Sequence, residues 1–568
     1  MRVNFIGSFG KNTGVSQDVS ILHGLVAHVL DKDAQIRHVP HRVPSCPQAE
    51  VNFFVEVINP ALFASAGKNI WIPNPEWTYR TWEPYATMVD EVWVKTREAE
   101  ALFLKWTPNV KYVSWTSIDK TYPELGSKNP NKGIVPVGKN VWRNPKPVLQ
   151  AYSRILAQHP EVFPSLPHLT IVHVPANVPI GDIPEGIKSK ITVRGEVIPD
   201  DEYKALLHEC GLVVCTSAAE GFGHAVNEAL SAGCVPILSP IQPFREMVKN
   251  ALWVSNAKVI EHPQCLGMLE DVDVDSLADA FIDYTKMSSD DRRAVTMDSR
   301  ESYEDRHEAF VKGMLSRLDT LFTGMPFHEE KLPKEEDLPA VSIITLTRDR
   351  RSFIPLAKYC FLAQTYPEHL LEWVIVDDGK DPIKNLITDL PNVTYILLDE
   401  PMTIGAKRNL AVSRAKHDVL VMMDDDDVYP NNSVLSRVAH MLTEPKKDCL
   451  FCTMLPCYEI HETKSFMNVP PITLDMSKRV SEATLCFTRA FWQERRFPDQ
   501  QIAEGDAFIH GREQMCREFS PQDVIVSLSH RKTTSSRKPP AGMEVNGSHY
   551  GFSDELFTLI SEIAVCIA

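Results

Sequence analysis

Five apolar residues, Val419-Leu420-Val421-Met422-Met423, run directly into four aspartates, Asp424-Asp425-Asp426-Asp427, and then into Val428-Tyr429-Pro430. An apolar run of that length without alternation reads as a strand buried on both faces, the pattern of a parallel sheet covered by helices. Adjacent carboxylates repel one another, and proteins collect them where a cation neutralises them. The stretch therefore predicts a carboxylate cluster at the carboxyl edge of an open α/β sheet, the edge where ligands bind.

The rest of the chain narrows what that cluster serves. At 568 residues several domains are expected, and 43% hydrophobic with 24% charged residues is an ordinary globular composition. A formal net charge of -16 argues against a general nucleic-acid binder. No apolar run reaches the length of a membrane span, which leaves peripheral membrane contact open. The opening Met1 to Gly7 reads as a short strand ending in glycine rather than a signal peptide. The twelve cysteines are scattered, several in apolar segments (Cys210, Cys215, Cys234, Cys486), which predicts thiols and a cytoplasmic location. Cys449, Cys452 and Cys457 lack a second ligand pair, so zinc is not expected.

In chain order, βα alternation predicts a Rossmann-like half over 1–130. Val3 to Ile6 reads as a strand and Val19 to Leu30 as a helix, with a loop containing Gly7, Gly10 and Gly14 between them. Further strands are expected at Val51 to Val55, Asn69 to Ile72, Glu91 to Val94 and Val110 to Val113. Over 131–325 the pattern repeats and ends in charged helices from about 275. Strands are expected at Gly133 to Val137, Leu169 to Val174, Ile191 to Val193 and Leu212 to Cys215. A helix is expected at Asn144 to Leu156, and another at Asp200 to Glu209 with Asp200 and Asp201 able to cap it. A cleft should separate the two halves. Residues 326–340 form a charged, proline-punctuated linker. A further α/β domain is expected over 341–540, with strands at Val341, Trp373, Val393 and Val419. Past about Val526 the chain turns polar, reading as a mobile loop, with a tail or helix at 541–568.

Glu220 and Glu228 flank Gly221-Phe222-Gly223, with Glu228 expected about two turns into the following helix. The glycines allow close backbone approach, and a helix N-terminus offers free N–H groups to a diphosphate. Residues 220–236 resemble the E-G-F-G-x(4)-E-A signature of retaining GT-B glycosyltransferases, family 4 in particular. The resemblance implies that Glu220 lies by the donor sugar and that Gly221, Phe222 and Gly223 meet sugar and phosphates. It also implies that Glu228 holds the ribose, and that no metal is needed. The diphosphate cations it implies are Lys139 and Arg143, with Lys146 in reserve; the usual Gly-Arg opening is Gly138-Lys139 here. The loop Pro73 to Trp77, Ser117 and Asp119 are read either as acceptor lining or as structural turns.

Residues 341–430 resemble inverting GT-A glycosyltransferases of family 2. The resemblance is carried by Val341 to Thr345, Gln364-Thr365-Tyr366-Pro367, Trp373 to Gly379, Gly405-Ala406-Lys407-Arg408-Asn409 and the aspartates at 424–427. It implies that Asp378 contacts the base with Asp377 beside it, and that Arg408 contacts the nucleotide. Asp424 and Asp426 would address ribose and a divalent cation (Mn²⁺ or Mg²⁺), with Asp425 an alternative to Asp424. Ala503 to Phe508 resembles the family's E-D segment, which makes Asp506 the candidate base and Glu504 the runner-up; the usual Glu-Asp is Gly505-Asp506. His530 is a further candidate metal ligand, and Arg531 to Lys538 a candidate basic lid.

The expectation is an α/β chain, a GT-B pair followed by a GT-A domain. It would use UDP- or GDP-sugar donors and a glycan, glycoprotein or glycolipid acceptor. The alternative is one catalytic module beside a degenerate binding unit. A metal-dependent nucleotidyltransferase or phosphatase is a third reading, disfavoured by the context around Gln364 to Asp378.

Overall fold

The structure, a computed structural model, describes residues 1–9, 13–121, 128–173, 180–328, 333–443, 447–531 and 552–567. Gly10, Val174, residues 329–332 of the linker, 532–538 of the basic stretch and 541–551 of the tail lie outside the described residues. The chain forms two compact units, one made mainly of Met1–His41 and Gly67–Phe327, the other mainly of His328–Ala568.

The first unit holds two six-stranded sheets. One runs in the order Gln35–Pro40, Arg2–Gly7, Ala49–Val55, Ala66–Ile72, Glu91–Val94, Val110–Tyr112. The other runs Leu252–Trp253, Val235–Leu238, Cys210–Cys215, Asn129–Gly138, His168–His173, Ile191–Arg194, with parallel pairing throughout. Strands such as Ala49–Val55 and Cys210–Cys215 are buried along their whole length. That continuous burial is why they read as apolar runs rather than as alternating ones. The long helix Ser289–Phe322 returns to the first half: Tyr303, Phe310, Met314, Leu318 and Phe322 share a core with Val3, Phe5 and Trp115. It is started by a capping box, Ser288 with Asp291.

Several expectations shift. The first helix is Gly14–Val29, begun by Thr13, whose side chain accepts from Ser16. Asp200 and Asp201 do not cap their helix; Pro199 holds the cap position, and the acids occupy the first turn where the helix dipole favours them. The helix after Gly223 spans His224–Ser231, so Glu228 stands little more than one turn in, not two. The strand Gln35–Pro40 and the hairpin Asn256–Glu261 with Met268–Val272 were not expected; both are largely exposed and lack an apolar signal.

The second unit holds a seven-stranded mixed sheet in the order Val393–Leu397, Leu371–Asp377, Val341–Thr347, Val419–Met422, Cys486–Thr488, Cys449–Phe451, Cys516–Glu518. The first four strands are parallel, and Cys486–Thr488 joins antiparallel. A three-stranded sheet pairs Lys464–Asn468, Leu455–Glu459 and Ser527–Ser529. The region past Val526 is thus ordered where described: Ser527–Ser529 is a strand, and helix Asp554–Cys566 inserts Leu556, Ile560 and Ile563 into the core. All twelve cysteines are free. No described helix is long and apolar enough to cross a membrane.

Candidate functional sites

The first site is a cavity of about 620 Å³ between the two sheets of the first unit. Its side chains follow directly on strand ends: Glu56 after Ala49–Val55, Asn74 and Glu76 after Ala66–Ile72, and Lys95 after Glu91–Val94. From the other sheet come Lys139 and Arg143, beyond Asn129–Gly138, and Glu220, beyond Cys210–Cys215. Parallel strands point all their carboxyl ends one way, so residues distant in sequence converge there.

Glu220 is 8% exposed and held on three sides. Arg143 Nε donates to Oε1 at 2.5 Å and Nη2 to Oε2 at 2.9 Å, a two-point guanidinium–carboxylate pair, and Ser217 Oγ donates to Oε1 at 2.9 Å. Glu228 accepts from Gln17 Nε2 at 2.9 Å and lies 3.9 Å from Lys120 Nζ. Burial pushes its carboxyl above the ordinary range, against the pull of Lys120 and His224. Gly223 starts the helix in a left-handed conformation, φ +98°, which only glycine adopts readily. A Cβ at Gly221 would stand 2.5 Å from Asn74 Oδ1, so the turn is pressed against the loop of the opposite half. Lys139 lines the cavity; Lys146, exposed at the start of the next helix, does not.

A buried polar chain crosses the cavity floor, and sequence reasoning missed it. His224 Nε2 donates to Asp18 Oδ1 at 2.8 Å, Lys95 Nζ pairs with Asp18 Oδ2, and Lys95 Nζ also donates to Asn74 Oδ1 at 3.0 Å. Asn74 Nδ2 in turn donates to Glu56 Oε1 at 3.0 Å. Burial alone would raise Asp18, but Lys95 and His224 offset it and hold the carboxyl below its usual range. Glu56 sits at φ +66°, an unfavourable conformation for a side-chain-bearing residue that turns its carboxylate toward Asn74. Of these residues only the loop around Asn74 carried a sequence signal, as a polar-aromatic turn after a strand. Ser117 bonds His224 Nδ1 at 2.8 Å, and Asp119 pairs with Arg300 at 2.9 Å; neither lines the cavity.

In the second unit the four aspartates divide. Asp425 turns inward at 1% exposure and accepts from Arg350 Nη1 at 2.8 Å. Burial raises its carboxyl despite that partner. Asp424 and Asp426 stay partly exposed; Asp426 Oδ2 is 2.5 Å from Arg350 Nη1 and 3.1 Å from His530 Nε2. Asp427 is drawn back by Ser527 Oγ and the Leu528 N–H, both at 2.9 Å. Oxygen atoms of Asp424, Asp426 and Asp427 lie within 4.8 Å of one another. Hard carboxylate oxygens at that spacing suit a divalent cation such as Mg²⁺ or Mn²⁺, with His530 beside them.

Around them, Lys407 Nζ donates to Asp378 Oδ1 at 2.7 Å, and the Met402 N–H to Oδ2 at 3.0 Å. Asp377 is consumed internally, accepting from Gly379, Ile383 and the Tyr395 hydroxyl. Arg408 Nε donates to Glu504 Oε1 at 2.9 Å, and Arg408 Nη1 lies 3.7 Å from Asp424. Glu504 is therefore buried and paired, whereas Asp506 is partly exposed and accepts from Ser477 Oγ at 2.6 Å. Gly505 has a packing reason: a Cβ there would meet Val480 at 2.6 Å and Glu482 Oε1 at 2.8 Å.

Residues 185–293 match the family Glycosyl transferases group 1, and residues 342–501 match Glycosyl transferase family 2. Glu220 to Glu228 fall inside the first match and Asp377 to Asp427 inside the second; Lys139, Arg143, Glu504, Asp506 and His530 fall outside both. The chain is similar to a GDP-mannose:cellobiosyl-diphosphopolyprenol alpha-mannosyltransferase of Komagataeibacter xylinus, 50% identical over 51 residues, 9% of this chain and 13% of that protein. The enzyme of the same name from Xanthomonas campestris is 35% identical over 103 residues, 18% of this chain and 25% of that one. The chain thus spans a quarter or less of the length of these curated relatives. Among solved structures, a mannosyltransferase from Pyrobaculum calidifontis in complex with GDP-Man and Mn²⁺ gives a TM-score of 0.29 at 17% identity, over 35% of this chain and 60% of that one. TarS of S. aureus gives 0.28 at 18% identity, over 33% and 60%. Likenesses that slight place no residue. The chain thus carries two glycosyltransferase segments in tandem, a group 1 segment followed by a family 2 segment.

Proposed function

We propose that the chain is a bifunctional glycosyltransferase that moves sugars from two nucleotide-sugar donors onto a glycan or glycolipid acceptor. The first module would act with retention and without metal, the second with inversion and with a divalent cation. The proposed boundaries are 1–130 and 131–325 for the first module, 326–340 for the linker, 341–540 for the second and 541–568 for the closing segment. The observation that carries the reading is that each unit has its own charged cluster at the carboxyl ends of parallel strands. One is rich in paired cations and the other is dominated by carboxylates.

In the first site, Arg143, Lys139 and the N–H groups at the start of His224–Ser231 would receive the diphosphate, and their positive charge stabilises it as it leaves. Glu220 would face the transferred sugar with its orientation set by Arg143 and Ser217. Glu228 would meet the ribose. In the second site, Asp424 and Asp426, with Asp427 or His530, would hold a divalent cation, which when bound neutralises charge on the nucleotide diphosphate. Asp378 and Arg408 would position the nucleotide. Asp506 would take the proton of the acceptor hydroxyl at its partly exposed carboxylate.

GDP-mannose is the first donor to test, because it is the donor in the names of the relatives, followed by the UDP-hexoses. The test is donor turnover by the full chain, its E220A variant and its D426A variant, each with and without Mn²⁺. Selective loss of one donor activity in each variant supports the reading; turnover of no donor overturns it. Arg350, seated on Asp425 and Asp426, favours a second reading in which only the first module is catalytic. In that case D426A would cost no activity.

A further inference from the structure

Glu76, in the loop Pro73 to Trp77, stands in the first cavity. It sits in the short turn Pro75–Trp77, is 6% exposed, and lines the cavity on the N-terminal side. It shares the cavity wall with Gly221 of the opposite half, whose turn is pressed against Asn74, two residues before Glu76. Glu76 Oε2 is buried with no hydrogen-bond partner among the described residues. A buried polar atom left in that state points to a missing partner.

The cations near this point have other partners. Arg143 is on Glu220, Lys95 on Asp18 and Asn74, and Lys120 on Asp200. Glu220 already has both oxygens bonded, by Arg143 and Ser217. With none of these three cations on it and the Glu220 charge close by, burial first and then Glu220 lift the Glu76 carboxyl to about 8, which favours its neutral form at pH 7. A neutral carboxyl is an O–H donor as well as an acceptor, and a sugar hydroxyl is the complementary group.

We propose that Glu76 is a sugar-binding residue of the first cleft, its buried and unpartnered Oε2 meeting a ring hydroxyl of the donor hexose that lies over Gly221 to Gly223. It rests on the nucleotide-sugar reading of this cleft. Because the contact comes from the N-terminal half while Gly221 to Gly223 belong to the other, it ties sugar recognition to the meeting of the two halves. A donor lacking that hydroxyl leaves the buried group unpaired, the arrangement that discriminates most strongly between substrates.

The experiment uses the full chain in a D426A background without divalent cation, and a D378A R408A D426A chain as its control, so that nucleotide binding at the second site is subtracted from the signal. Binding of GDP-mannose, UDP-glucose and UDP-galactose is measured by calorimetry against GDP and UDP alone, from pH 6 to 9.5. E76A should weaken the bound sugar nucleotide about tenfold or more and leave the matching diphosphate within about twofold. E76Q, which keeps a neutral donor, should stay within about threefold of its parent and lose the decline in sugar-nucleotide binding that the parent shows above about pH 8. Unchanged sugar-nucleotide binding in E76A overturns the proposal, as does equal loss of the diphosphate, which marks a merely structural residue. If E76A does not fold, E76Q decides: the same alkaline decline as the parent overturns it. A parent that binds none of the three sugar nucleotides removes the donor reading itself, a result distinct from either.

Discussion

In the first cleft nearly every acidic side chain has a cation or an amide on it, whereas in the second unit three of the four adjacent aspartates share Arg350 and Arg408. Glu220 is taken by Arg143, Glu228 by Gln17, Asp18 by Lys95 and His224, and Glu56 by Asn74. Asp424, Asp425 and Asp426 have two guanidinium groups among them, one of them 3.7 Å from its carboxylate. The difference lies in where the compensating charge comes from. The first site carries its own positive charge on side chains and a helix terminus, so a diphosphate can be received directly. The second keeps a surplus of negative charge that a divalent cation is suited to offset.

Chelation breaks or sharpens that contrast with the largest expected effect. Removal of divalent cations should reduce the second transfer by about a thousandfold or more and leave the first within about twofold. Equal loss of both would erase the contrast. Next, D506N should lower the turnover of the second transfer about a hundredfold or more, with little change in donor KM, because it removes a proton acceptor and not a binding contact. A loss confined to KM would move the base elsewhere, with Glu504 disfavoured by its pairing with Arg408. R143A should cost the first transfer about a hundredfold, since it strips a cation from the diphosphate and leaves Glu220 buried with only Ser217 on it.

The smaller effects concern stability. Gly405 has no room for a methyl group, as a Cβ would stand 1.9 Å from the Pro498 carbonyl oxygen. G405A should destabilise the second unit by about 2 kcal/mol and leave the first unchanged, read as a shift in one of two unfolding transitions. For Glu76, the folded carboxyl titrates near 8 against an ordinary 4.5. The stability this group contributes is complete below its ordinary value and is lost as pH rises toward 8. E76Q should therefore gain on wild type by about 3 kcal/mol between pH 5 and 8, with little further gain above. A constant difference across that range would mean that Glu76 is ionised throughout.

What was legible in the chain was local. The run Val419 to Asp427 announces a buried strand and an acidic edge because apolar and charged residues are adjacent. Glu220 to Glu228 declares itself through glycines next to carboxylates. The strands Cys449–Phe451 and Cys516–Glu518 were not legible, since three residues carry no periodicity. Nor was the chain from Glu56 through Asn74, Lys95 and Asp18 to His224, whose members are separated in sequence and meet only where parallel strands end together. The departure at Gly505 reads in sequence as a missing carboxylate; in the fold it is a position filled by Val480 and Glu482. Asp377 shows the converse, a residue beside a motif whose hydrogen bonds are spent on its own loop.

The central claim is that one chain holds two separately organised transfer sites. Full-length E220A and D426A chains, each incubated with acceptor and both donors, then mixed, test it most directly by product mass. Two catalytic modules predict that each variant alone omits a different sugar and that the mixture restores the complete product. Loss of the same sugar in both variants, or a mixture no better than either alone, would contradict it.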